Sequence, residues 1–177
     1  GRPGGNGSLS FDGTDDLVSV SDHPSLNFGA GDFSFGLWIL RIGDYSVDVD
    51  PPEILEKQSG TPLWQLTIDV LTNKPKAQIR GTNLIAATSA TDLPSAWTHL
   101  AVTVKNAVAL TIYRNGIQDV QQTFATSENT DNANAFQIGG GNSGNFQGLI
   151  DDVILFPRAL SAAEVANAQE RVDAYRA

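Results

Sequence analysis

The 177-residue sequence contains no cysteine, no methionine and only two histidines. Without cysteine there are no disulfides, no thiolate metal sites and no thiol nucleophile. No apolar run approaches the ~18 residues that a membrane-spanning helix needs, so no membrane insertion is expected. Positive charge is scarce as well. Eleven Lys and Arg face 20 Asp and Glu, for a net charge of −9 and a pI near 4.4. A surface of that sign repels phosphate backbones and anionic lipid, which argues against nucleic acid as a partner. The acidity either keeps the protein soluble or gathers carboxylates around a divalent cation.

The other absence is catalytic chemistry. His99 sits inside an apolar segment and reads as a structural histidine, while His23 lies in a polar turn; neither has a Ser or Asp partner at a recognisable spacing. Glycan cleavage on a β-strand needs carboxylates at alternate positions, so that both enter one cleft. Glu53 and Glu56 are three apart and are expected on opposite faces; Asp151 and Asp152 are adjacent and diverge; Asp48 and Asp50 abut two prolines and read as a loop. Gly139 to Gly141 follows an apolar segment but opens no helix, so it is no phosphate loop. The expectation is a protein that is not an enzyme.

What is present is a succession of short β signals. With 41% hydrophobic and 18% charged residues the composition is globular, and the length suits one domain. Gly1 to Gly7 reads as a flexible Gly-rich segment, leaving residues 8–177 as the domain. Alternating or continuously apolar strands are expected at 8–11, 17–20, 32–40, 54–57, 63–70, 77–80, 84–87, 97–104, 110–114, from 117 onward, at 136–139 and at 148–156. Asn115-Gly116 marks a two-residue hairpin. Ser161-Ala162-Ala163-Glu164 is a capping box, predicting one helix over about 161–175. Many short strands with turn signals between them indicate an all-β, two-sheet antiparallel sandwich of the jelly-roll type.

Several segments, in order, resemble the laminin G-like and concanavalin A-like jelly-roll family. They are Ser10 to Val20, Phe33 to Ile39, Trp97 to Thr103, Tyr113 to Gly116, and Gly148 to Val153 continuing through Arg158 to Ser161. The resemblance implies the fold across nearly the whole chain. It leaves function open, because this fold serves glycan binding, adhesion, glycan cleavage and plain structure.

The resemblance also favours a structural calcium between the opening and closing segments, with Asp12, Asp15 and Asp151 as the ligands. Asp16 and Asp152 are their neighbours, and Asp44, Asp48 and Asp50 form a second acidic loop. The related pentraxins carry acidic ligands just before the closing strand; Gly140 to Asn145 here has no carboxylate, which argues against a ligand site of that kind. For a sugar platform, Trp38, Trp64 and Trp97 are expected in the core. That leaves Tyr45, Phe124 and Phe146 as exposed rings, with Asn142 and Asn145 as adaptable hydrogen-bonding partners. The expected function is a non-catalytic recognition or adhesion module, extracellular or on a cell or virion surface, that binds glycan or protein through loops. The alternative is a structural protein, such as a virion or cell-surface decoration, assembling as a homo-oligomer or larger array. The Ala-rich closing segment, Val165 to Ala177, favours that alternative.

Overall fold

The computed structural model describes residues 7–45, 50–58, 60–61, 63–141 and 143–174. Among the described residues, thirteen strands form two packed sheets and one α-helix follows them. The first sheet takes β1 (Leu9–Asp12), β13 (Gln147–Phe156), β3 (Phe33–Arg41), β8 (Thr98–Lys105), β9 (Ala109–Arg114) and β10 (Ile117–Thr123), in that order. The second takes β2 (Val18–Val20), β11 (Phe136–Ile138), β4 (Pro52–Lys57), β5 (Leu63–Asp69), β6 (Lys74–Arg80) and β7 (Leu84–Thr88), with β12 (Gly144–Asn145) beside β4. First and last strands pair, Phe11 opposite Gly148, so the opening and closing segments meet as expected.

Strand periodicity sorts the side chains. On β3, Phe33, Phe35, Leu37 and Ile39 enter the space between the sheets. Trp64, Leu66 and Ile68 of β5 meet them from the opposite layer. Trp64 is fully buried among Phe28, Phe33, Phe35 and Phe136, at centroid distances of 5.9, 5.9, 5.4 and 5.3 Å.

The alternate residues of β3 stay buried for a different reason. α1 (Ala162–Ala174) lies across the outer face of the first sheet, where Leu160 and Val165 pack on Ala101 and Tyr113. Trp38 is buried as expected, but on that outer face, against His99 at 5.4 Å. Trp97 corrects the expectation: it precedes β8 and is only half-buried.

Local chemistry sets the ends of the elements. Asn115 and Gly116 both take positive φ, 47° and 75°, as a type I′ hairpin requires. The capping box closes, Glu164 N donating to Ser161 Oγ at 3.3 Å and Ser161 N to Glu164 Oε2 at 2.9 Å. Arg158, 2.7 Å from Glu164, and the Ser161 donors hold that carboxyl down to about 2. No helix among the described residues is long and apolar enough to cross a membrane.

The long connection between β10 and β11 is anchored by a buried carboxylate. Glu128 accepts from Asn83 N at 2.8 Å, Asn83 Nδ2 at 2.9 Å and Gly81 N at 3.3 Å. Burial raises its pKa, but hydrogen bonds from Thr126, Asn83 and Thr82 outweigh that and lower it to about 2. A carboxyl depressed in the folded state stabilises the fold above its unfolded value of ~4.3, and the contribution disappears as pH falls toward 2. Acid titration followed by circular dichroism should thus show stability declining below about pH 4.3. Glu128→Gln, which no longer titrates, should flatten part of that decline.

Candidate functional site

Three chain segments converge at one end of the sandwich: the turn between β1 and β2, the loop between β11 and β13, and the start of β4. Asp12 Oδ1 accepts from Thr14 N at 2.7 Å, and Asp16 Oδ2 accepts from Asp12 N at 3.0 Å, which coils the turn. Asn145 Nδ2 donates to Thr14 O, clamping the turn to the loop. Asp12, Asp15 and Asp16 are exposed, and one oxygen from each falls within 4.8 Å of the others. Three carboxylates so close repel one another, by roughly 1 kcal/mol per pair at 4 Å in water. A hard cation would relieve that repulsion with oxygen ligands of the type calcium prefers.

Asp151 does not join them. Asp12 pairs with Gln147 across β1 and β13, so Asp151 stands four residues further along the closing strand, about 13 Å at strand rise. It aligns with Trp38, and one of its oxygens accepts from Asp152 N, where β13 bulges and Asp152 takes a positive φ of 49°. Asp16 takes its place in the cluster.

Two of the expected exposed rings are in the core. Tyr45 is 4% exposed, and its hydroxyl accepts from Gln147 N at 2.6 Å. Phe146 is fully buried, edge-on to Phe11 at 6.3 Å and 6.5 Å from Tyr45. The rings plug the end of the sandwich beneath the loops, which corrects their assignment as a sugar platform. Glycines make the room: a Cβ at Gly139 or Gly148 would overlap the ring of Phe11 or of Phe146. Phe124 also packs against the core. Asn145 remains at the rim, half-buried and committed to Thr14. Asn142 lies outside the described residues, as does Asp48, while Asp44 accepts from Asn73 Nδ2 at 2.9 Å.

The carboxylates of β4 overturn a second expectation. A β-bulge between Glu53 and Leu55 shifts the register by one, so Glu53 aligns with Thr67 and Glu56 with Gln65. Both glutamates consequently share the outer face of the second sheet, while Ile54 and Leu55 both enter the core. Gln58 Nε2 bridges them, at 3.1 Å from Glu53 Oε1 and 2.7 Å from Glu56 Oε2. Ser143 N donates to Glu53 Oε2 at 3.2 Å. The loop passes directly over the pair, and no Cβ fits at Gly141 without overlapping an oxygen of each. Glu53 is 1% and Glu56 0% exposed, so the paired carboxylates are sealed from any polymeric substrate.

The family model described as the concanavalin A-like lectin/glucanases superfamily matches residues 12–166. No curated protein matches the chain. Among solved structures, the binding domain of Paraclostridial Mosquitocidal Protein 1 is similar over 94% of this chain and 46% of its own, with 16% identity and a TM-score of 0.74. The botulinum neurotoxin serotype D binding domain gives 16% identity and 0.74 over 96% of this chain and 46% of its own. The serotype G binding domain gives 14% and 0.65 over 95% and 47%. The chain spans about half the length of each, and at these identities the likeness is one of fold.

Proposed function

The chain belongs to the concanavalin A-like lectin/glucanases superfamily, and from that membership we propose that it is a non-catalytic, extracellular recognition module. It binds a glycan or a protein through the rim formed by residues 12–16 and 143–145. The observation that carries this reading is the sealed state of Glu53 and Glu56 beneath an exposed polar rim: the paired carboxylates are engaged by Gln58 and Ser143, while the surface above offers acceptors and amides. The structures of like fold named above are binding domains by description, which supports binding as the role. The assembly alternative has less support, because Leu160 and Val165 at the closing helix pack on the domain's own sheet.

A calcium ion held by Asp12, Asp15 and Asp16 would stiffen the rim by cancelling their repulsion. Calorimetry should place the melting midpoint higher in millimolar calcium than in EDTA. About 1 kcal/mol of linked binding corresponds to about 2–4 °C in a domain of this size. Equal midpoints would remove calcium from the account. A glycan array probed with the full chain, with and without calcium, tests the recognition reading. Binding that Asn145→Ala weakens supports the rim, and an array without hits in either condition contradicts glycan as the ligand.

A further inference from the structure

At the opposite end of the sandwich, the β2–β3 connection meets the β13–α1 junction around a cavity of about 390 Å³. Its lining includes Pro24, Ser25, Asn27, Phe28, Asp32, Pro157 and Arg158. Each wall has its own anchor. Ser25 N donates to His23 Nδ1 at 3.2 Å, capping the 3-10 turn that Pro24 opens. Asn27 Nδ2 donates to Asp22 at 3.1 Å, and the buried Lys57 holds Asp22 in turn at 2.8 Å. Phe28 lies flat on Phe33, with centroids 4.5 Å apart and planes 7° apart. Asp32 Oδ1 accepts from Asn106 N at 2.8 Å. Arg158 O accepts from Ser34 Oγ at 3.0 Å, while its guanidinium meets Glu164. The cavity is therefore preformed, and a ligand entering it loses little affinity to ordering the protein.

The lining chemistry narrows the ligand. Pro24, Pro157 and Phe28 bring apolar surface to the lining, whereas Asp32 and Arg158 bring a carboxylate and a guanidinium, and the Ser25 hydroxyl is already bonded to His23 Nδ1 at 2.9 Å. An anion gains little here, because Glu164 already neutralises Arg158 and Asp32 repels negative charge. A wholly apolar ligand would desolvate those groups without replacing their hydrogen bonds. A sugar ring satisfies both demands, with its C–H face on the prolines and its hydroxyls donating to Asp32 and accepting from Arg158. The volume lies near the low end of the ~300–1,000 Å³ range of ligand pockets, which suits one or two sugar residues. We infer that this cavity is a glycan subsite for a neutral terminal pyranose, separate from the rim. The inference rests on the recognition-module reading but names a different place.

The test is an amide-resolved NMR titration of the full chain with the methyl glycosides of glucose, galactose, mannose and N-acetylglucosamine. At least one should shift the amides of Ser25, Asn27, Phe28 and Asp32 saturably. Asp32→Asn, which keeps an oxygen for Asn106, should weaken that probe about tenfold, the loss expected of one charge-assisted hydrogen bond. Ser25→Phe, at an exposed position, should block it while leaving the melting midpoint unchanged. Shifts confined to residues 12–16 and 143–145 would overturn the subsite and leave the rim reading standing. No shift at the cavity from any of the four probes, or shifts insensitive to both substitutions, would also overturn it.

Discussion

Trp64→Ala should be the most damaging single substitution in the chain, lowering stability by about 4–5 kcal/mol. The indole is fully buried between the sheets and touches four phenylalanine rings from three different parts of the chain. Truncation removes its burial and leaves a cavity that rigid strands on both sides cannot close. Against a typical total of about 5–15 kcal/mol, that loss brings the domain near its limit. Urea denaturation measures it directly. Trp64→Phe is the control, expected to lose under about 2 kcal/mol, because it keeps ring contacts and removes an indole N–H that has no acceptor. Equal losses for both variants would mean that the indole's volume is not what fills the core.

Lys57→Met should follow, at about 2–3 kcal/mol, the loss expected when the acceptors of a buried ammonium are left without their donor. Lys57 is completely buried, and its ammonium donates to Asp22 Oδ1 at 2.8 Å, Asn132 O at 2.5 Å and Asn134 O at 2.9 Å. One side chain on β4 thus ties the β2–β3 connection and the segment before β11 to the second sheet. Methionine matches the stem but leaves those oxygens facing apolar surface. The pH dependence supplies a signature. The Lys57 hydrogen bond holds the Asp22 carboxyl below its ordinary value. The stabilisation is thus fully present above the unfolded carboxyl value of ~3.9 and fades as pH falls below it. The gap between wild type and Lys57→Met, read by denaturation at several pH values, should narrow in acid. A gap constant down to pH 2 would show that the Asp22 pair contributes nothing and that the bonds to Asn132 O and Asn134 O and the packing of the stem carry the effect.

The fold was legible in the sequence because each strand carries its own evidence. Alternation in Leu63 to Ile68, and alternation at Phe33 and Phe35 that becomes an apolar run from Leu37 to Leu40, give strand and burial together, and Asn115-Gly116 and Ser161-to-Glu164 mark their turn and cap without tertiary help. The resemblance added the order of the strands, and the pairing of β1 with β13 agrees with it.

The site was legible only in part. Asp12, Asp15 and Asp16 come together because a five-residue turn leaves them little choice. Asp151 was misplaced because register, not nearness of paired strands, decides what stands opposite what. Tyr45 and Phe146 lie in polar sequence and read as exposed; Gly43 and Gly148 leave room for their rings, and Phe11 from the opening strand packs edge-on to Phe146. Glu53 and Glu56 are the sharpest case. A spacing of three places strand residues on opposite faces, and one bulged residue cancels that rule. The adjacent apolar pair Ile54-Leu55 between them was the available signal, since both enter the core only if the strand is irregular.

Recognition without turnover is the claim on which the functional account stands, and incubation of the protein with a polysaccharide panel, followed by mass spectrometry of the products, tests it most directly. The account predicts that every glycan is recovered intact, including any that the protein retains. Cleavage of a glycan that Glu53→Gln or Glu56→Gln abolishes would contradict it, because it would require the sealed carboxylates to open and act.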